Sequence, residues 1–170
     1  MRSHLIILGD RDAIAWVVSE QRMAFTRERA AAAEAAISRG DELLLYSTRG
    51  AFHNPTRDRG RVFGRAIASG IVGELPRPVL LLGRQFTHGF EFELKSLAPP
   101  RLGVGLADLI PRLSSFPNKR GWAMSLRRPL LTLTSEDALL LRRRLEPETA
   151  GVSEAVESYL AEVRSPLPAL

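Results

Sequence analysis

The chain has 170 residues, a formal net charge of +5 and no cysteine. The length suits one domain with a single core, and the lack of cysteine excludes disulfides, thiolate zinc sites and thiol nucleophiles. No apolar stretch approaches the ~20 residues of a membrane span, and the apolar run before Asp10 is too short for a secretory signal. We therefore expect a soluble, cytoplasmic protein that does not bind membranes.

The basic charge is unevenly distributed along the chain. Of the 24 basic residues only Lys95 and Lys119 are lysine, and residues 147–170 carry a net charge of −3, which leaves +8 for residues 1–146. A basic body attracts polyanions at long range, although such a domain can also simply be well solvated. We predict one domain at residues 1–146, followed by an acidic C-terminal helix and tail at residues 147–170.

The pattern of apolar residues in the first part of the chain predicts strands before and after one helix. Short apolar runs at residues 5–8 and 14–18 predict two strands separated by a turn. The alanine-rich residues 26–39 predict a helix, with Thr26 as its N-cap and Gly40 as the left-handed residue that ends it. Residues 42–47 then predict a buried strand.

The later part of the chain predicts further strands and helices. Residues 89–94 alternate phenylalanine with glutamate, as in a strand with one buried face. Proline limits two other elements, a short helix at Pro111 and an extended segment at Pro129. The predicted elements are a loop at 48–60, strands at 61–70, 76–83 and 89–94, a short helix at 106–113, extended chain at 124–134, and helices at 135–145 and 152–163.

The connections between these elements indicate the fold class. Most are too short to hold a crossover helix, so the sheet is predicted to be mostly antiparallel. Short strands that do not alternate regularly with helices favour an α+β fold. We expect a small curled β-barrel or sheet with flanking helices, an architecture that often binds nucleic acid.

Motifs for catalysis and metal binding are scarce. The sequence has neither a phosphate-binding P-loop nor a dinucleotide-binding Gly-x-Gly-x-x-Gly. His4, His53 and His88 lack a His or carboxylate partner at ligand spacing, so no metal site is predicted. Glu91 and Glu93 alternate with phenylalanines, which indicates a solvated sheet face rather than a catalytic pair. We therefore expect a protein that is not an enzyme and needs no cofactor.

Two irregular segments combine aromatic rings with polar and cationic groups. One runs from Tyr46 to Arg61, and the other, residues 116–122, ends at Trp122. A nucleobase can stack on such rings while arginines bind phosphates. The alternative is that the rings belong to the edge of the core and the arginines to a solvated loop. The residues alone leave both interpretations open.

The order of these residues resembles the EVE domain of the PUA-like superfamily. The resemblance covers about residues 3–145. The order Gly-Asp, apolar strand, Tyr-Ser is also similar to that in the YTH readers of methylated adenine. The segments that carry it are 16–19 (Trp-Val-Val-Ser), the alanine-rich helix, 40–46 (Gly-Asp-Glu-Leu-Leu-Leu-Tyr), 62–66 (Val-Phe-Gly-Arg-Ala), 116–122, 126–130 and 134–137.

The resemblance implies a PUA-like barrel whose concave site accepts one nucleobase, usually a modified one, from DNA or RNA. Its implied pocket residues are Trp16, Ser19, Tyr46, Ser47, Thr48, Asn118 and Trp122. Its implied phosphate-binding residues are Arg49, Arg57, Arg59, Lys119 and Arg120. The sequence leaves the base and the strand state open, and we expect a monomer.

Two other classes of function are alternatives. ASCH-type relatives of this superfamily include small amidohydrolases acting on modified nucleosides. Lys95, Glu93 and Thr48 supply residue types for that chemistry, although the Gly-x-Lys-x-x-Glu signature is missing. The helix at residues 152–163 has an apolar stripe that either docks a partner protein or covers the protein's own sheet.

Overall fold

The structure is a computed structural model that describes residues 1–164. Short 3₁₀ helices lie at Ala107–Arg112, Trp122–Arg127 and Glu146–Glu148. In chain order the other elements are β1 (Ser3–Leu8), α1 (Arg11–Glu20), β2 (Arg22–Phe25), α2 (Arg27–Ala36), β3 (Glu42–Ser47), β4 (Arg61–Ala68), β5 (Gly73–Leu81), β6 (Arg84–Leu97), β7 (Val104–Gly105), β8 (Leu130–Leu133), α3 (Ser135–Leu145) and α4 (Val152–Arg164).

The strands form one curled sheet flanked by helices. Its order is β2-β6-β4-β3-β1-β8, with β5 paired to β6 and β7 paired to β4. Register shifts between Leu45 and Tyr46 and between Arg65 and Ala66 interrupt the ladders, and such bulges bend a sheet. The predicted α+β fold with a mostly antiparallel curled sheet is confirmed.

One strand pair, β1 with β3, is parallel and positions the candidate site. Leu8, the last residue of β1, lies opposite Ser47, the last residue of β3. The Thr48 amide continues the pairing by donating to the Leu8 carbonyl at 3.0 Å. The chain segments that leave the two strands, beginning at Gly9 and Thr48, are therefore neighbours at one edge of the sheet.

The predicted strand at residues 14–18 is wrong, because these residues lie in α1. Asp10 caps this helix by accepting a hydrogen bond from the Asp12 amide at 2.8 Å. Ile14, Val17 and Val18 are buried, at the spacing of one helix face. A run of five apolar residues fits both the helical and the strand period, and only the cap distinguishes them.

The predicted extended chain at residues 124–134 is only partly confirmed. Its second half forms β8, but Met124 belongs to the 3₁₀ helix Trp122–Arg127. The Met124 amide donates to the Gly121 carbonyl at 3.0 Å, and the Asn118 side chain accepts from the Gly121 amide at 3.0 Å. These local bonds satisfy the backbone without a partner strand.

The alanine-rich helix α2 ends at Ala36, three residues before the prediction. Ala30, Ala33 and Ile37 are buried as expected. Ile37 already has extended backbone angles, and the left-handed Gly40, with φ of 90°, forms the turn into β3. Burial of Ile37 against the sheet therefore takes precedence over continuing the helix.

Three residues of the predicted apolar stripe of α4, Val152, Val156 and Leu160 but not Val163, pack against the core. Residues outside the stripe add to this contact. Tyr159 is buried, and its hydroxyl donates to the Ala98 carbonyl at 2.7 Å. Its ring lies 5.4 Å from that of Phe63, centroid to centroid, whereas the predicted Val163 is exposed. The end of the predicted tail, residues 165–170, lies outside the described residues. None of the described helices is long and apolar enough to cross a membrane.

Candidate nucleic-acid interface

Two cavities open beside the edge at which β1 and β3 end. The first cavity, about 280 Å³, is lined by Trp16, and the second, about 580 Å³, is lined by Tyr46 and Trp122. A β-carbon added at Gly9, in the wall of the first cavity, would lie 3.9 Å from the Thr48 hydroxyl, in the wall of the second. The two cavities are therefore neighbours.

Aromatic and apolar side chains from three elements form the first cavity. Trp16 on α1 and Phe86 on β6 are half-buried, and Phe25 on β2 is buried. Phe25 is held by stacking on Phe90, with ring centroids 6.2 Å apart. Two half-exposed rings in a concave wall offer surfaces on which a flat heterocycle can stack.

Polar groups surround the first cavity. The Asp10 carboxylate caps α1 with one oxygen, and its other oxygen lies 2.9 Å from His53 Nε2. Arg29 and Arg84 are exposed on the lining and have no ion pair with the described residues. The cavity thus combines an apolar interior with two unpaired cations at its rim.

The second cavity lies between the end of β3 and the 3₁₀ helix that contains Trp122. The Trp122 ring packs edge-on against Phe116 at 6.3 Å between centroids, with an interplanar angle of 81°. Tyr46 is buried, and burial raises the pKa of its hydroxyl to about 12. At neutral pH this hydroxyl is therefore protonated and can donate a hydrogen bond.

The predicted site residues divide among several places. Five of them line the second cavity, whereas Trp16 lines the first. Ser47 and Arg57 line a third, smaller cavity of about 170 Å³, which Arg59 also borders. The structure therefore does not bring Trp16 into one pocket with the other predicted rings. The five residues in the second cavity are Tyr46, Thr48, Arg49, Arg59 and Trp122.

Four predicted residues line none of these three cavities. The Ser19 hydroxyl donates to the Trp16 carbonyl at 3.2 Å, and Asn118 accepts from the Gly121 amide. The Lys119 ammonium donates to the carbonyls of Ile110, at 3.0 Å, and Leu113. These bonds satisfy carbonyls around the end of the 3₁₀ helix Ala107–Arg112. Arg120 is exposed.

Sequence reasoning missed several residues that line the cavities. Phe86 and Arg84 reach the first cavity from the β5–β6 hairpin, and Asp108 and Arg127 reach the second from the two 3₁₀ helices. Only the hairpin left a signal, since the predicted strands at 76–83 and 89–94 place their connection near Arg84. Nothing local to Asp108 or Arg127 indicates a cavity.

Groups suited to metal binding or amide hydrolysis do not gather at the cavities. Among residues 1–164 no group of three or more His, Cys, Asp or Glu could hold a metal ion. Lys95 and Glu93 form an ion pair of 2.8 Å between largely exposed side chains on β6. Neither residue lines the three cavities described above. This placement gives the amidohydrolase alternative no support.

Comparisons with known proteins identify the fold. Neither the scan against protein-family models nor the search of curated proteins gives a match. Among solved structures, the Mmi1 YTH domain in complex with RNA is similar with a TM-score of 0.59 and 9% identity, over 86% of this chain and 78% of that one. Because the sequence identity is only 9%, this similarity shows the fold alone, which is YTH-related.

Small structural-genomics proteins share the same fold. One from Pseudomonas syringae gives a TM-score of 0.53 at 13% identity, over 84% of this chain and 99% of that one. One from Rhodopseudomonas palustris gives a TM-score of 0.53 at 14% identity, over 86% and 94%. The match to nearly the whole of these chains indicates that they and this protein share one compact architecture.

Proposed function

We propose that this protein is a non-catalytic module that binds nucleic acid and accepts a single base, in modified form, in the first cavity. In this proposal Trp16 is the stacking surface, Phe86 forms part of the opposite lining, and Arg29 and Arg84 bind the flanking phosphates. The chain would then be an EVE-like member of the PUA-like proteins. The nucleic acid can be DNA or RNA.

The observation that carries the proposal is the half-buried indole of Trp16 in the wall of a concave, mostly apolar cavity. Part of the Trp16 ring packs against the core, and the rest faces the cavity, whereas Phe63 and Phe116 are covered completely by their neighbours. Stacking of a base on an aromatic side chain is worth about 1–3 kcal/mol. A single stacking contact in this cavity would thus contribute appreciably to binding.

Charge supports the same ligand. Residues 1–146 carry a net charge of +8, and both the first and the second cavity have arginines on their linings that pair with no described acid. Guanidinium groups bind phosphate oxygens through two parallel hydrogen bonds. An unmodified or modified base without phosphates would use only the stacking part of the site.

The similar Mmi1 YTH structure contains RNA, which makes RNA the first ligand to test. Binding of labelled single-stranded oligonucleotides should be measured by fluorescence anisotropy, with the same sequence carrying no mark or one of a panel of base modifications. We expect the wild-type protein to prefer one marked strand, and Trp16→Ala to remove that preference, losing about 1–3 kcal/mol.

The matched control for Trp16→Ala is Leu139→Ala, which removes an exposed apolar side chain from α3. This control should leave the preference for the marked strand intact. Equal affinity for marked and unmarked strands across the panel would contradict modified-base recognition. Failure of every DNA and RNA strand to bind would contradict the nucleic-acid function itself.

A further inference from the structure

The second cavity has the size of a ligand site, and residues distant in sequence line it. Its volume of about 580 Å³ lies within the range of pockets that hold small molecules. Its walls come from the end of β3, the turn at Gly60, and the two 3₁₀ helices Ala107–Arg112 and Trp122–Arg127. Tertiary contacts between several elements therefore form this cavity, which is not a groove within one loop.

The inner wall of the second cavity carries an unused polar group. Tyr46 is only 3% exposed, and no hydrogen bond joins its hydroxyl to another described residue. Among residues 1–164 the one fully buried side-chain oxygen or nitrogen without a partner is Asp58 Oδ2, so the Tyr46 hydroxyl still reaches the second cavity, which Tyr46 lines. A β-carbon at Gly60 would overlap this hydroxyl, so only glycine lets the backbone approach it here. A hydroxyl at a cavity wall with no protein partner is free to hydrogen-bond to a ligand there.

The cationic side chains on the second cavity also lack protein partners. Arg49, Arg59 and Arg127 form no ion pair with a described acid, and Asp108 is the one acid on the lining. The local charge is therefore positive, which favours a phosphate. Trp122 adds an indole that is neither fully buried nor fully exposed. Ring, hydroxyl and cations together match a nucleotide.

The position of the second cavity fits a strand already bound at the first. The Thr48 amide donates to the carbonyl of Leu8, and these residues line the second and the first cavity respectively. The segment after the second 3₁₀ helix also joins them, since Arg127 lines the second cavity and Pro129 the first. One short strand can therefore reach both.

We infer that the second cavity is a second nucleotide-binding site, which takes the base and phosphate of a neighbouring nucleotide in the strand whose marked base occupies the first cavity. This inference rests on the proposed function. It assigns Trp122 as the stacking surface, the Tyr46 hydroxyl as a donor to the base edge, and Arg49 and Arg127 as phosphate ligands.

The chain provides a direct reporter, because its two tryptophans line different cavities. In a Trp16→Phe variant, all tryptophan emission comes from Trp122, while the first cavity keeps an aromatic ring. A single strand of about eight nucleotides, within the usual site size of such modules, should quench this emission saturably. A mononucleotide carrying the preferred mark, which can fill the first cavity alone, should quench it much less at equal occupancy.

Two substitutions in the otherwise wild-type protein test the assigned contacts. Trp122→Ala should weaken binding of the same strand about tenfold, and Tyr46→Phe about fivefold. Tyr46→Phe removes a hydroxyl without a protein partner, so it should leave the thermal unfolding midpoint unchanged. The control Arg143→Ala removes an exposed, unpaired arginine of α3, and should weaken binding less than Arg127→Ala.

The possible failures are distinguishable. If Trp16→Ala abolishes recognition while Trp122 emission and the affinities of the Tyr46 and Trp122 variants do not change, the second site is wrong and the proposed function stands. If the strand quenches Trp122 but Trp16→Ala has no effect, the second cavity binds nucleic acid and the proposed first cavity is wrong. If no strand binds the wild-type protein, both are wrong.

Discussion

The arginines of this protein behave differently in two regions. Where α3 lies near β3, Arg65 of β4 and Arg142 of α3 both pair with the fully buried Glu42, at 2.7 and 2.8 Å. Around the first and second cavities, Arg29, Arg84 and Arg127 pair with no described acid. Net charge alone therefore does not locate a binding surface. Arginines that the fold has already paired are structural, and the unpaired ones are available to a ligand.

The Glu42 cluster is fully satisfied by the protein itself. Burial alone would raise the pKa of Glu42, but hydrogen bonds from Arg142, Arg65 and Ser3 outweigh it and hold the pKa below its ordinary value of 4.5. The neighbouring Asp41 bonds to His4 at 3.0 Å. A ligand would have to break these bonds to gain a contact here, so this region contributes to stability and not to recognition.

The largest expected effect comes from removing the buried charge. Glu42→Gln should lower the free energy of unfolding by about 3 kcal/mol, at the lower end for breaking a buried ion pair, since its arginine partners are partly exposed. Urea denaturation measures this value. The control Glu91→Gln breaks the exposed pair with Arg22 and should cost less than about 0.5 kcal/mol. Equal losses in the two variants would contradict the contrast between buried and exposed pairs.

The next effect concerns the unpaired arginines. Replacing Arg29 and Arg84 together by alanine should weaken the binding of all oligonucleotides equally. It should also reduce the slope of log affinity against log salt concentration by about 1.4–1.8, the value expected when two phosphate contacts no longer release counterions. Anisotropy titrations at several salt concentrations measure the slope. Arg22→Ala, which removes a paired arginine, should change it less. A slope that is unchanged in the double variant would show that these arginines bind no phosphate.

A smaller effect is expected at the C-terminal helix. Tyr159→Phe removes the donor to the Ala98 carbonyl and should cost about 1 kcal/mol of unfolding free energy. Nucleic-acid affinity should not change, because Tyr159 lines neither the first nor the second cavity. Thermal unfolding and anisotropy together test this. A loss of affinity without a loss of stability would instead place α4 in the binding surface.

The smallest expected effect is the onset of acid destabilisation. The pKa of Glu42 is lower in the folded than in the unfolded state. As the pH falls below about 4.5, the unfolded state therefore binds more protons at this residue than the native state does. Its contribution to stability is therefore complete above that pH and is lost below it. Urea denaturation of wild type and Glu42→Gln from pH 6 to about pH 3 should give a difference in unfolding free energy that is constant above about pH 4.5 and begins to decrease below it. A constant difference across the range would contradict this linkage.

Local signals in the sequence predicted much of the fold. The helix predicted at residues 135–145 is α3, which Thr134 caps by accepting from the Asp137 amide at 3.2 Å. In the predicted strand at residues 89–94, Phe90 and Phe92 are buried while Glu91 and Glu93 are exposed. Such patterns act within one element and need no knowledge of its neighbours. The strand predicted at residues 14–18 was wrong, because so short an apolar run is compatible with both the helical and the strand period.

The candidate site was predictable only in part. The pairing of β1 with β3, which separates Trp16 from Tyr46 into two cavities, depends on a parallel crossover that no local pattern reveals. Lys119 shows the same limit, since its charge predicted a phosphate ligand and its ammonium lies on the carbonyls of Ile110 and Leu113. Residue type indicated the chemistry, and tertiary contacts decide which groups are available for it.

The most direct test of the central claim is the fluorescence of Trp16 alone. In a Trp122→Phe variant it is the one tryptophan left in the chain, and it lies in the first cavity. We expect a strand with the preferred modified base to quench this emission saturably, with the same midpoint as binding measured by anisotropy. Binding by anisotropy that leaves the Trp16 emission unchanged would contradict it.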